Sequence, residues 1–421
     1  MIYRYLILIY ILIFISPTIL PQNNWSLQSS GITALINSIS IVDNNVTWAA
    51  GDSGKIIRTT DAGLTWSSVD GGHFGDAIIW NIDALDSNTA LLTITPPPFS
   101  ATFIYKTLNG GTSWEQVFSQ NGGFINNIHM VNQLYGLAYG DPVGGKWTVI
   151  RTTDGGASWN RISTEPASNG PEIGLYFNSL CVTDSLHIWF LGEQRIYKSS
   201  NGGFTWSNYE TPNFYTSVWF INNSIGMTSS YINAGLSTNA GAFWNQVAIP
   251  GGGSYYSLAG SGANDFWYVS HGYIYHTEDF GTSWTSEMVT FDQFFEIEFI
   301  TIGQSVIGYA GGANGSIARY EGTISSVNSI QHVSSEYSLG QNYPNPFNPK
   351  TTIIYSLPVS GHVSIKVFDV LGREVTELIN DHIGAGTHSI NFDASNFTSG
   401  IYFYQLQSGD FIETKRLVLL K

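Results

Sequence analysis

The chain of 421 residues carries 16 basic and 31 acidic side chains, so its net charge is −15, and only 11% of its residues are charged. A nucleic-acid partner requires a basic surface, so this composition excludes nucleic-acid-binding proteins. The single cysteine, Cys181, excludes an internal disulfide framework and a cysteine metal cluster. The 45 glycines and the 14% of aromatic residues indicate many strands joined by many turns.

Residues 1–22 are predicted to form a secretory signal peptide. Arg4 precedes the apolar run Leu6–Ile15, and Ser16 and Pro17 end it. Ten apolar residues match the hydrophobic region of a signal peptide and are too few to cross a bilayer. We therefore expect an exported mature chain without a transmembrane segment, and the alternative is an uncleaved membrane anchor.

Residues 23–322 contain six copies of one short motif: a hydroxyl residue, a gap, Asp or Asn, a gap, Gly, two residues and Trp. Trp66 and Trp284 lie 218 residues apart over five steps, and the resulting period of about 44 residues is typical of four-stranded propeller blades. An apolar strand precedes most copies, so each motif is predicted to be the hairpin turn between the third and fourth strands of a blade.

Each residue type of the motif suits such a turn. The Asp or Asn oxygen is expected to accept backbone N–H groups, the Gly to adopt a positive φ, and the Trp to cover the hairpin. Because half of the acidic positions are amides, we predict a structural role and neither catalysis nor metal binding. The motif residues are Asp61, Gly63 and Trp66; Asn109, Gly111 and Trp114; Asp154, Gly156 and Trp159; Asn201, Gly203 and Trp206; Asn239, Gly241 and Trp244; and Asp279, Gly281 and Trp284.

These copies resemble the Asp-box, or BNR, repeat of sialidase-type propellers, and the whole of 23–322 resembles propellers of the photosystem II assembly-factor type. Xyloglucanases and sortilin-like receptors are similar at a greater distance. A seventh blade is predicted from the strands of 291–320, completed by Asn24–Leu27, which resembles the segment after each motif. Six or eight blades are the alternatives. The resemblance implies an all-β, seven-bladed β-propeller, and it implies no particular activity.

Ligands are expected on the face away from the motif turns and at the central channel. Exposed aromatic rings there could stack on sugars or hold a peptide, although one ring of each aromatic pair is expected to fill the core between blades. Asp76, Glu172 and Glu296 are predicted near the starts of innermost strands, but nothing pairs them as a glycosidase requires. No cofactor or metal site is predicted. The candidate binding residues are His73, Phe74, Asp76, Phe124, Glu172, Phe214, Tyr215, Tyr255, Tyr256, Phe294, Phe295 and Glu296.

A Ser-rich linker, residues 323–336, precedes a tail of short alternating strands, residues 337–421, which is predicted to form a small Ig-like β-sandwich. The tail resembles the type A C-terminal sorting domain of the type IX secretion system. This resemblance implies that the secretion machinery is its partner, that the chain reaches the cell surface or the medium, and that the tail is often removed. The alternative is an ordinary Ig-like accessory domain. The matching residues include Asn342, Pro344, Pro346, Phe347, Asn348, Pro349, Asp369, Gly372, Arg373, Gly400, Tyr402 and Lys415.

The sequence therefore predicts an exported propeller protein that binds a protein or a glycan without catalysis. A secreted glycoside hydrolase acting on polysaccharide is the alternative, and two carboxylates about 5–10 Å apart in an open channel would favour it.

Overall fold

The computed structural model describes residues 24–170, 172–174, 178–211, 215–230, 233–250, 255–262, 265–270, 272–290, 292–323, 337–342, 345–357, 361–383, 386–409 and 411–420. The predicted signal peptide and most of the predicted linker lie outside this part of the chain. Within it, the regular structure consists of β-strands and two single-turn 3₁₀ segments, Asp52–Gly54 and Ala313–Gly315. The all-β prediction is confirmed.

Residues 24–323 form seven antiparallel four-stranded sheets, which we call blades 1–7 in chain order. In blades 1–6 the strands pair in the order in which they follow one another along the chain. Their bounds are Ile36–Ile41, Thr47–Gly51, Ile56–Thr59 and Ser67–Ser68 in blade 1; Ile78–Ala84, Ala90–Thr95, Ala101–Thr107 and Glu115–Asn121 in blade 2; Ile125–Met130, Gly136–Val143, Lys146–Thr152 and Asn160–Arg161 in blade 3; Leu180–Val182, Ile188–Leu191, Arg195–Ser199 and Ser207–Glu210 in blade 4; Tyr215–Phe220, Gly226–Ser230, Ala234–Ser237 and Asn245–Val247 in blade 5; and Tyr255–Ala259, Phe266–Ser270, Tyr273–Thr277 and Thr285–Val289 in blade 6.

Blade 7 joins the two ends of the propeller. Its strands Phe294–Ile302, Ser305–Gly312 and Ile317–Thr323 are completed by the first strand of the chain, Trp25–Gln28. The first strand of each blade contacts that of the next, and the circle closes where blade 7 meets blade 1. This arrangement confirms the predicted seven blades and the predicted closing strand. Closure pairs sheet edges that would otherwise be open to other chains.

Apolar clusters fill the spaces between neighbouring blades. Trp48, Trp147, Trp189 and Trp267 are among the largest fully buried side chains, and each stands on the second or third strand of its blade. The first strand of blade 1, Ile36–Ile41, is buried along its whole length because its neighbours cover it on both sides.

The tail forms a β-sandwich, which confirms the predicted Ig-like architecture. The smaller sheet contains Ser338–Leu339, Lys350–Leu357 and Gly386–Asp393, and the larger contains Glu374–Ile383, Gly361–Phe368, Gly400–Ser408 and Phe411–Leu419, in that order. Every second residue from Val363 to Val367 is buried, and these side chains pack with Tyr404 and Leu417 in one core. The predicted domain boundaries, 23–322, 323–336 and 337–421, remain predictions.

Candidate ligand-binding face

The loops of each blade lie on two opposite faces of the propeller. The motif turns join third to fourth strands and therefore lie on the same face as the turns between first and second strands. The opposite face carries the loops between blades and the loops between second and third strands. We call it the ligand face, because the sequence predicts most of the candidate binding residues there.

The six motif turns share one hydrogen-bond pattern. In blade 1, the Gly63 N–H donates to Thr59 Oγ1 at 2.8 Å, and the Thr65 N–H donates to Asp61 Oδ1 at 2.9 Å. Gly63 adopts a φ of 79°, which favours glycine. Matching bonds occur at Asn109 and Gly111, Asp154 and Gly156, Asn201 and Gly203, Asn239 and Gly241, and Asp279 and Gly281.

These bonds hold the motif carboxylates in their ionised form. The Ser158 hydroxyl and backbone N–H lower the pKa of Asp154 to about 2, and the same kinds of donor lower the pKa of Asp61 and of Asp279. A carboxylate that is stabilised as an acceptor is a poor general acid at neutral pH. The chemistry of the turns is therefore that of a structural element.

The motif tryptophans pack between blades as well as over their own hairpins. Trp114 of blade 2 meets Trp48 of blade 1 edge to face, with ring centroids 6.2 Å apart, and Trp66 of blade 1 meets Tyr309 of blade 7 at 5.9 Å. In the same way, Trp159, Trp206, Trp244 and Trp284 join clusters that contain residues of the preceding blade. Sequence reasoning missed this contact, because the motif alone does not show which blade lies beside it.

Several candidate residues are buried and do not belong to a binding surface. Phe74 packs against Tyr105 at 5.1 Å, and Tyr215 packs against Trp244 at 5.8 Å. Phe294 is also buried, whereas Phe295 is half-buried. Placing Phe74 on the ligand face was therefore wrong, because it fills the core between blades, whereas the burial of Tyr215 and Phe294 agrees with the expectation that one ring of each aromatic pair fills that core. Phe214 and the side chains of Tyr255 and Tyr256 lie outside the described part of the chain.

Three candidates stay on the ligand face near blade 2. His73 and Asp76 are exposed on the loop that enters the blade, and Phe124 is half-buried on the loop that leaves it. Phe124 stacks on Trp80, with ring centroids 6.1 Å apart and an angle of 25° between the planes. The Trp80 indole N–H donates to Thr95 Oγ1 at 2.9 Å, which holds the ring in a defined orientation.

Trp80 is the functional candidate that sequence reasoning missed. Trp80 lies between Ile79 and Asn81, where the pairing of the first two strands of blade 2 shifts register. This shift interrupts the regular alternation of side chains between the two faces of the sheet. The loop between second and third strands of the same blade adds the exposed Phe99. The available signal was a tryptophan inside an innermost strand, which blade 5 shares through Trp219, whereas the first strands of blades 1, 3 and 4 contain no Phe, Trp or Tyr.

The three candidate carboxylates occupy different surroundings. Asp76 is exposed, and Glu172 accepts hydrogen bonds from the Tyr197 hydroxyl at 2.7 Å and from the Asn169 N–H at 2.8 Å. Glu172 also lies well before its strand, which begins at Leu180, so its predicted position at the strand start was wrong. Glu296 is only 3% exposed, and burial raises its pKa well above the ordinary value.

The centre of the ring is bridged by a side chain. Asn178, next to the first strand of blade 4, donates from Nδ2 to Ser257 Oγ of blade 6 at 2.9 Å and to the Ile297 carbonyl of blade 7 at 3.0 Å. Glu296 lies beside Asn178 and Ser257. Further along the same strand, Glu298 accepts from the Ile41 N–H of blade 1 at 3.2 Å, and burial also raises its pKa. The interior is therefore polar and cross-linked between blades.

The residues of the tail motif have structural partners. Phe347 is buried in the sandwich core, and the Asn342 N–H donates to the Tyr404 hydroxyl at 2.7 Å. Pro344 lies outside the described residues. The remaining matched positions stand in the same segment, in the turn after Phe368 or on the last two strands: Pro346, Asn348, Pro349, Asp369, Gly372, Arg373, Gly400, Tyr402 and Lys415.

The described residues lack two further features. No group of three or more of their His, Cys, Asp or Glu side chains converges in a way that could hold a metal ion. Within the same residues, no helix has the length and apolar character needed to span a membrane.

Comparison with known proteins identifies the tail. Residues 341–420 match the family model of the secretion system C-terminal sorting domain. This match confirms the predicted type IX sorting domain, and the chain is accordingly exported to the outer-membrane surface or beyond it. No curated protein sequence matches the chain.

Solved structures confirm the propeller. The chain is similar to "YCF48 bound to D1 peptide", with 18% identity and a TM-score of 0.56 over 72% of this chain and 98% of that chain. YCF48 from Cyanidioschyzon merolae is 15% identical, with a TM-score of 0.53 over 70% and 98% of the two chains. The GH74 xyloglucanase from Xanthomonas campestris is 12% identical, with a TM-score of 0.52 over 86% of this chain and 63% of that chain. At these identities the likeness shows the fold alone.

Proposed function

We propose that the chain is an exported, non-catalytic binding protein whose ligand face recognises a protein or a glycan near blade 2. The stacked pair of Trp80 and Phe124 carries this proposal. Rings that are held in place and partly exposed offer a large contact area at little cost in conformational entropy, and they suit both sugar rings and apolar peptide side chains.

The surroundings of the carboxylates support binding over hydrolysis. A glycosidase needs two carboxylates across a bond that its substrate can reach. Glu296 is enclosed, Glu172 is held by Tyr197, and Asn178 bridges the centre of the ring. Turnover of a polysaccharide by the purified chain, lost on replacing Asp76, Glu172 or Glu296, would contradict the proposal.

Two of the similar structures suggest which ligands to test first. One is YCF48 bound to a D1 peptide, and another is a xyloglucanase. A peptide array and a glycan array probed with the purified mature chain would therefore separate the two ligand classes.

We expect Trp80→Ala and Phe124→Ala to weaken binding of the array ligand about tenfold or more, because each removes an aromatic contact surface. Titration calorimetry with the highest-ranking array ligand measures the change. Phe243→Ala is the matched control, since Phe243 is an exposed aromatic residue on the motif face. Unchanged affinity in Trp80→Ala and Phe124→Ala would show that this patch is not the binding site.

We further propose that residues 337–421 act as the export signal of this chain. Deleting them is expected to leave the propeller in the periplasm and to reduce the protease-accessible fraction on intact cells to background. The supporting observation is the family match over 341–420. Undiminished surface display of the deleted chain would overturn this assignment.

A further inference from the structure

The turn after the strand Gly361–Phe368 exposes two apolar residues that its own geometry does not require. Asp369 Oδ1 accepts the N–H groups of Leu371 at 2.9 Å and Arg373 at 3.0 Å, and Gly372 has a φ of 76°. Val370 and Leu371 are 65% and 74% exposed. Asp369, Gly372 and Arg373 therefore account for the turn, while the two apolar side chains remain available for an external contact.

Beside this turn, the outer face of the larger tail sheet carries a row of aromatic and cationic side chains. Phe368 stands opposite Phe403 on the neighbouring strand, and Phe403 stands opposite Arg416 on the last strand. Directly opposite residues share one face of a sheet, so these three side chains lie side by side. The adjoining surface is a groove of about 420 Å³, which we call the tail groove, and the one carboxylate in its lining, Asp369, is already paired with Arg373. The lining residues are Phe368, Asp369, Val370, Gly372, Phe403, Gln405 and Thr414.

Arg416 is distinguished from the other described cations of the tail. Lys350, Lys366, Arg373 and Lys415 all form ion pairs with carboxylates of the same domain. Among the described residues, the Arg416 guanidinium has no carboxylate partner. Its backbone is nevertheless held in place, because the side chains of Gln341 and Asn345 both donate to its carbonyl, at 2.6 and 3.1 Å.

The Asn-Pro segment of the sorting motif therefore positions the backbone of the last strand beside the groove. Asn345 Oδ1 also accepts the Val418 N–H at 2.8 Å, and the Phe347 N–H donates to the Val418 carbonyl at 2.9 Å. These bonds cover the outer edge of the last strand over the stretch that carries Arg416. An exposed cation without an ion pair, next to an apolar row, complements a partner that presents an apolar side chain next to a carboxylate.

We infer that the tail groove is the docking surface for a protein segment of the export machinery, one that inserts an apolar side chain between Phe403 and Val370 and pairs a carboxylate with Arg416. The inference rests on the proposed function of the tail as the export signal.

A membrane surface fits less well, because binding to anionic lipid requires a cluster of basic residues, whereas 337–421 contain six basic and seven acidic side chains. A second copy of the tail fits less well because, among its described carboxylates, only Asp381 forms no ion pair with a cation of its own domain.

The test uses full-length chains expressed in a bacterium with a working type IX system. Val370→Ser and Arg416→Glu change exposed side chains and leave the core intact. We expect both to lower the surface-displayed fraction at least fivefold, with accumulation in the periplasm, and we expect Arg416→Lys to retain most of the display. Ile412→Ser is the matched control, because Ile412 is exposed on the last strand outside the groove lining. Equal melting temperatures of the purified variants exclude misfolding as the cause.

The outcomes separate this inference from the function on which it rests. If Val370→Ser and Arg416→Glu were displayed normally while deletion of 337–421 abolished display, the docking role of the tail groove would be wrong and the sorting role of the tail would stand. Normal display after the deletion would overturn both. A wild-type dimer in solution that Val370→Ser converts to monomers would also overturn the inference, because a second copy would then occupy the groove.

Discussion

Replacing Trp25 by alanine is expected to lower the free energy of unfolding of the propeller by about 3–5 kcal/mol, the range for removing a buried aromatic side chain. Trp25 is 5% exposed and packs against Trp267, Phe299 and Tyr320, with ring centroids 5.4 to 6.1 Å apart. It belongs to the closing strand, which is only four residues long. Trp25→Ala therefore weakens the packing that holds the first strand of the chain in blade 7 and closes the ring.

Urea unfolding followed by circular dichroism measures this change. Leu27→Ala is the control on the same strand, because Leu27 is 54% exposed and its replacement is expected to change stability by less than about 0.5 kcal/mol. We also expect Trp25→Ala to increase proteolysis within Trp25–Gln28, since a detached strand is accessible to protease. If Trp25→Ala and Leu27→Ala had equal free energies of unfolding, the packing of Trp25 would not be what holds the ring closed.

The second prediction concerns how the stability of the propeller changes with pH because of the buried Glu296. Burial raises the pKa of Glu296 well above its ordinary value of 4.5, and the neighbouring Ser257 and Asn178 offset this only in part. The folded state therefore retains a proton that the unfolded state releases. The stability that this proton contributes is fully present below the unfolded pKa and is lost as the pH rises through the folded pKa. Glu296→Gln removes this penalty and keeps the shape of the side chain.

We expect Glu296→Gln to be more stable than the wild type by about 1–3 kcal/mol at pH 8, the usual cost of a poorly compensated buried polar group, and equally stable at pH 4. Urea unfolding at both pH values measures the difference. Glu115→Gln is the control, because Glu115 is exposed on the last strand of blade 2. A Glu296→Gln variant that is destabilised to the same extent at both pH values would show that the carboxylate makes a required ionic contact.

Local chemistry made much of the architecture predictable. The motif from Thr59 to Trp66 encodes a turn through short-range hydrogen bonds, and its recurrence about every 44 residues specifies a blade. The likeness of Asn24–Leu27 to the segment after each motif was sufficient to predict the closing strand. The alternation of Val363, Ile365 and Val367 likewise predicted an inward-facing side of a tail strand.

The candidate site was much less predictable, because it depends on neighbours that are distant in sequence. Whether Phe74 or Phe124 reaches the surface depends on contacts with Tyr105 and with Trp80. Sequence reasoning could place each aromatic residue on a loop, but it could not determine which ring the adjacent blade would cover. The same limit hid Trp80, which lies at a register shift that recurs between the first two strands of blades 1, 2, 3, 5, 6 and 7 and whose side-chain neighbours only the tertiary structure supplies.

By itself, the sequence determined the type of each repeat and the export of the chain, since both depend on residues within a few positions of one another, while the structure decided between seven blades and the alternatives of six or eight. Only the tertiary structure decided that the motif tryptophans pack against the preceding blade, that Asn178 bridges to residues 79 and 119 positions away, and that Glu296 is enclosed. The physical reason is ring closure, which brings innermost strands from opposite ends of the chain together and so determines which polar groups lose contact with water.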